Sequence, residues 1–275
     1  MVEKQGALSK MAVSIEVTTQ YKMVLGGESI ALNPYLGQTI SLHYGGEIYC
    51  HACQRKTKKS FSGGYCYRCS QKLAQCDLCI MKPETCHHAA GTCREPDWAE
   101  QFCMQDHIVY LANSSGPKVG ITRGDQLPTR WLDQGASQAL PIFRVSSRYL
   151  SGLVEVIFKR HIADKTDWRK MLKGAPEAID LAALRDTLMQ QCQSDLSALQ
   201  AQQPAGAIIP LTDSEPLTID YPVQQYPVKV KSLNFDKTAD ISGVLQGMKG
   251  QYLLLDSGVL NIRKFTGYHI RLAVN

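Results

Sequence analysis

Apolar and polar positions alternate in short runs at both ends of the chain. Near the N-terminus the runs are SIEVTT, YKMVLG and TISLHYGGEIY, punctuated by Gly26-Gly27, Asn33-Pro34 and Gly45-Gly46. From Val228 onward they are VKVKSLNF, ISGVLQG, GQYLLLDSG, VLNIRKF and GYHIRLAV, with Gly243, Gly247, Gly250, Gly258 and Gly267 at the joints. A period of two predicts half-buried strands, and glycines between them predict turns or bulges. The N-terminal strands are few for a sheet of their own. Residues 1–49 are therefore expected to join residues 228–275 in one small β-barrel, with the middle of the chain inserted.

In the middle the period changes. Leu181, Leu184, Leu188, Cys192, Leu196 and Leu199 recur at steps of three or four, with Pro176, Glu177 and Asp180 ahead of them. That predicts one long helix within residues 174–203, starting near Pro176. Five prolines follow in residues 204–227, which mark a linker or an extended edge. Residues 107–173 mix the two patterns. HIVYL and KVGIT read as strands around the turn Asn113–Gly116, and Gly152 to Asp164 reads as a helix. The fold class is α+β.

Length and charge add little: 275 residues, 44% hydrophobic, net charge +5. No apolar run is long enough to span a bilayer, and MVEKQGALSKMAVSIEV has neither an apolar core nor a cleavage site. A cytoplasmic protein with no membrane partner is expected. The cysteines change the picture. There are ten, nine of them between Cys50 and Cys103. A reducing compartment disfavours disulfides, so C-x2-C pairs point to metal ligation.

Within residues 50–106, Cys50-x2-Cys53 and Cys66-x2-Cys69 stand twelve residues apart. Each pair aims two thiolates at one ion, and four close a tetrahedral zinc site of the ribbon type. A redox C-x-x-C is the rival, but two matched pairs argue against it. A second knuckle is Cys76-x2-Cys79. Cys86, His87, His88, Cys93, Cys103 and His107 compete to complete it, with Cys86 and Cys93 the working choice. Two zinc ions are thus expected. Neither cluster has three ligands plus a water, as catalytic zinc requires, and the H-x-E element of zinc deaminases is absent.

Between Cys50 and Gln75 there is no Asp or Glu, while Arg55, Lys56, Lys58, Lys59 and Arg68 are interleaved with aromatics that include Tyr65. Cations neutralise phosphates and aromatics stack on bases, so nucleic acid, DNA or RNA, is the expected partner. Arg123 and Arg148 extend the basic surface. The plainer reading is that these cations offset the charge of a zinc tetrathiolate. Another alternative is a zinc-stabilised scaffold whose Gln-rich helix binds a protein.

The stretch HIVYLANSSGPKVGITR, followed by LPTRW and EVIFKRH, resembles the GIY-YIG nuclease superfamily over about 60 residues. The resemblance implies that Tyr110 matches the tyrosine of the first signature strand and Lys118-Val119-Gly120 the second signature. It implies that Arg130 supplies the cation beside the scissile phosphate. Glu155 would hold a divalent metal, Mg²⁺ or Mn²⁺, if the chain is a nuclease. Lys118 stands where the family has its second tyrosine. Over nearly its full length the chain also resembles a prokaryotic domain of unknown function, the one numbered 2797. CREPDWAEQFC, PTRWLDQGA, ADKTDWRKML and MKGQYLLLDSGVLNIRKFTGY carry that match. It implies no assigned activity.

Overall fold

The computed structural model describes residues 2–274. The strands form three antiparallel sheets. The first runs Val2–Ala7, Tyr268–Val274, Thr39–Tyr49, Asp240–Lys249, Tyr252–Leu255 and Gly258–Asn261, with Lys56–Thr57 added to Thr39–Tyr49. Both ends of the chain thus meet in one sheet, in the register Lys4↔Leu272 and Leu272↔Leu42.

The expected barrel does not close. Among the described residues no pairing joins Val2–Ala7 to Gly258–Asn261. Alternation specifies which face of a strand is buried; it says nothing of whether the two edge strands meet. Each edge is covered in another way. Leu8 bridges to Leu25 of a neighbouring sheet, and the chain at Lys231–Leu233 bonds both sides of Val259, at 2.8 and 2.9 Å. Nor do all the N-terminal strands join the C-terminal ones. Ala12–Ile15, Thr19–Leu25 and Glu28–Ala31 form a three-stranded sheet of their own. It is held because Tyr21, Met23 and Leu25 alternate inward onto a core shared with Ile40, Leu42, Ile270 and Leu272.

The central sheet has the order Ile208–Pro210, Gln138–Val145, His107–Asn113, Pro117–Arg123, so Pro117–Arg123 is an edge. Residues 204–227 are more than a linker. They supply Ile208–Pro210 and Leu217–Thr218 as short strands against Gln138–Val145, an outer position that tolerates proline. On one face of this sheet, Val109, Leu111, Val119 and Phe143 pack against helices Arg148–Phe158 and Leu181–Ala201. Cys192 lies buried in that core. On the other face, Ile108, Tyr110 and Ala112 lie under Trp131 and Leu132 of helix Thr129–Asp133.

Capping side chains move two helix starts away from where periodicity puts them. Ser147 accepts a hydrogen bond from the Leu150 amide at 3.3 Å, so that helix begins at Arg148 rather than Gly152, and it ends at Phe158. Asp180 accepts from the Ala183 amide at 2.9 Å and starts the long helix at Leu181, not near Pro176. Gln138 bonds both backbone groups of Ile179 at 3.0 Å, which keeps the preceding stretch extended. No helix among the described residues is long and apolar enough to cross a membrane.

Candidate functional site

Cys50 follows directly on strand Thr39–Tyr49. The chain then turns tightly through Gln54, which has φ +58° and an amide bonded to the Cys50 carbonyl at 2.9 Å. Cys66 is the N-cap of helix Tyr67–Lys72, so Cys69 lies one turn on, on the same face. The four sulfurs of Cys50, Cys53, Cys66 and Cys69 lie within 4.8 Å of one another and can hold a metal ion such as zinc. Burial opposes ionisation of Cys50, but the backbone amides of Cys53, Cys66 and Ala52 bring its thiol down to about 6. Hydrogen bonding to Cys66, together with burial, holds Cys69 up to about 12. A dication at the centre removes that conflict, because it lets every thiol ionise.

Around this cluster Arg55, Lys56, Lys58, Lys59 and Arg68 are exposed. Lys56 is engaged by Glu47 at 2.5 Å, and the Lys59 ammonium lies 5.6 Å from the Phe61 ring centre. Tyr65 is half-buried, edge-on to His51.

A separate cavity of about 440 Å³ opens along the edge strand Pro117–Arg123. Lys118, Arg123, Arg130, Arg148 and Glu155 line it, joined by Asp164, Lys10, Asp133 and Arg263, which pattern reading did not single out as a site. Only the fold could find these, since they come from distant elements. Lys118 is 4% exposed. Burial, reinforced by the Arg130 charge, brings its ammonium down to about 8 against the pull of Glu155 and Asp164. Among the described residues, neither the buried Nε of Arg130 nor that of Arg148 has a hydrogen-bond partner.

Arg148 and Glu155 stand two turns apart on one face of helix Arg148–Phe158, while Leu150, Val154 and Phe158 enter the core. Burial raises the Glu155 carboxyl above the usual range although Lys159 pairs with it at 3.4 Å. Lys159 also reaches Asp164 at 3.3 Å. Arg123 forks onto Asp125 at 3.0 and 3.2 Å and stacks 4.7 Å over Phe102.

Tyr110 does not line the cavity. It is fully buried, its hydroxyl donates to Gln134 Oε1 at 3.0 Å, and burial raises its pKa. Its ring lies directly beneath Gly120, where a Cβ would stand 2.7 Å from the ring. The glycine lets strand and ring approach, and the tyrosine supports the cavity floor.

The far wall comes from the second cysteine region. Arg148 Nη2 donates to the Ile80 carbonyl at 2.5 Å, and its amide to the Cys103 carbonyl at 2.8 Å. Gly152 meets Pro83 and Glu84 so closely that a Cβ would lie 2.5 Å from the Glu84 amide. Cys79, Cys86, His87, His88, Cys93 and Cys103 surround a small enclosed cavity behind this wall. Cys76 is absent from that lining. His107 is buried in its strand with Nδ1 2.8 Å from the Gln105 carbonyl.

No curated protein and no solved structure matches the chain. The family described as "Protein of unknown function (DUF2797)" matches residues 37–270, a span that holds the four-cysteine cluster and every residue lining the basic cavity except Lys10, so the chain belongs to that family.

Proposed function

We propose that this protein binds nucleic acid, seating a backbone phosphate in the cavity beside Lys118, Arg130 and Arg148 while a zinc ribbon at Cys50, Cys53, Cys66 and Cys69 presents further cations. The observation that carries this reading is the set of three cations along one cavity. Among the described residues none of them has a carboxylate within ion-pair distance. Burying cations without counter-charge is costly, and a ligand phosphate supplies that charge with strong, charge-assisted hydrogen bonds. The exposed Arg55, Lys58, Lys59 and Arg68 suit a backbone that runs on past the cavity.

Lys118 gives the reading a pH signature. Its proton leaves near pH 8, so rising pH removes one phosphate contact. Affinity for a labelled oligonucleotide at fixed ionic strength is expected to fall up to about tenfold from about pH 7 to about pH 9.5, and Lys118→Arg to abolish the fall. A flat wild-type profile would count against phosphate at Lys118.

A second reading is a metal-dependent nuclease, favoured by Glu155 and Asp164 in the same cavity. Carboxylates there can hold a water-rich Mg²⁺ that polarises a phosphate oxygen, with Arg130 beside the developing charge. Lys118 takes the place where the GIY-YIG pattern has its second tyrosine. This reading expects Mg²⁺- or Mn²⁺-dependent cleavage that Glu155→Ala removes while binding persists. Cleavage unchanged in Glu155→Ala would rule out this cavity as its source.

A further inference from the structure

We propose that Cys79, Cys86, Cys93 and Cys103 bind a second zinc ion, and that this centre holds the wall of the basic cavity in place. The four thiols are free and face one small enclosed cavity, although they arrive from separate pieces of chain. Cys79 sits in the turn Leu78–Ile80. Cys86 caps the turn Pro83–Thr85, Cys93 lies in the loop beyond, and Cys103 caps helix Pro96–Phe102.

A second observation is independent of the sulfurs. Between Leu73 and Asp106 the chain has no strand and one helix of seven residues, and its buried hydrophobic side chains are Ala74, Ala99 and Cys103. Pro83 is buried as well, against Gly152; a segment with so few buried apolar side chains is weakly held by packing, and metals or disulfides staple such segments. In this chain the staple is a thiolate-bound metal, because all four cysteines line one cavity and none is in a disulfide.

The tightest donor group there is Asp77, Cys79 and His87. Asp77 is already engaged, and His87 through one of its two ring nitrogens. One Asp77 oxygen pairs with Arg94 Nε at 2.6 Å and the other caps the Cys79 amide at 3.4 Å. His87 Nδ1 bonds Thr92 Oγ1 at 2.8 Å. The cysteines keep their sulfurs free, and soft thiolates suit zinc better than a carboxylate. Asp77 at the cap of its turn separates the two members of the pair in the chain: the turn begins between the two cysteines, and Cys79 lines the cavity while Cys76 does not.

The centre has a consequence for the cavity. Cys103 lines both spaces, and its carbonyl and that of Ile80 hold Arg148. A metal at these thiols therefore fixes the cation that faces the ligand.

The test counts zinc in the full-length protein by native mass spectrometry and maps alkylation of the zinc-loaded wild type. Two zinc ions per chain are expected, with Cys103→Ser retaining one and Cys76→Ser retaining both. In the wild type, Cys76 should be alkylated without zinc loss. Release of one zinc by chelator should expose Cys79, Cys86, Cys93 and Cys103 together, a readout that stands even if Cys103→Ser does not fold. One zinc in the wild type, or a second zinc lost in Cys76→Ser and kept in Cys103→Ser, would overturn the assignment.

Discussion

Serine in place of Cys66 is expected to release one metal ion and unfold the ribbon while the central sheet stays intact. Residues 50–72 bury only Cys50, Gly64 and Ser70, so no apolar core stands in for the metal. Structural zinc contributes roughly 10–16 kcal/mol of binding free energy in small domains, and a serine hydroxyl does not ionise to replace a thiolate. Cys66 is also the N-cap of helix Tyr67–Lys72, so the second knuckle loses its geometry with the ligand. Metal content should drop by one equivalent, and trypsin should cut after Arg55, Lys58 or Lys59 in the variant but not in the zinc-loaded wild type. Cys192→Ser, on the buried face of the long helix, should retain every metal ion.

Alanine in place of Arg130 is expected to weaken nucleic-acid binding by about 10- to 100-fold, the size of one or two charge-assisted hydrogen bonds. Arg130 is suited to the experiment because the fold does not depend on it. Its helix, Thr129–Asp133, is fixed by Trp131 and Leu132, which are buried over the central sheet. The guanidinium itself faces the cavity, with Nε buried and unpartnered. If it meets one phosphate, removal should also lower the slope of log affinity against log salt by about 0.9. Arg160→Ala, which removes an exposed cation paired with Asp195, should change neither quantity much. The two variants thus separate a seated phosphate from diffuse attraction to a basic surface.

What could be read from the chain follows from the range of each signal. C-x2-C pairs are local, and the ribbon quartet Cys50, Cys53, Cys66 and Cys69 converges as its spacing implies. The pair at Cys76 and Cys79 carries the same spacing, yet Cys79 lines the small cavity with Cys86, Cys93 and Cys103 while Cys76 does not. Alternation located the terminal strands, but closure depends on which edges meet, and they do not. The helix starts were written in Ser147 and Asp180, local caps that apolar periodicity overrides when read alone. Arg148 looked like one more surface cation. Its placement depends on the Ile80 and Cys103 carbonyls, contributed by a segment whose path only the folded chain reveals. Tyr110 likewise reads as a signature residue, whereas its burial under Gly120 is a matter of sheet register.

The most direct measurement is the affinity of zinc-loaded protein for labelled single- and double-stranded DNA and RNA, by fluorescence anisotropy, between about 50 and 200 mM salt. A protein that seats phosphate beside Lys118, Arg130 and Arg148 should bind at least one of these ligands. Its log affinity should fall linearly with log salt, less steeply in Arg130→Ala. Affinity that is unchanged across that range, or identical in wild type and Arg130→Ala, would contradict a phosphate-binding role for the cavity.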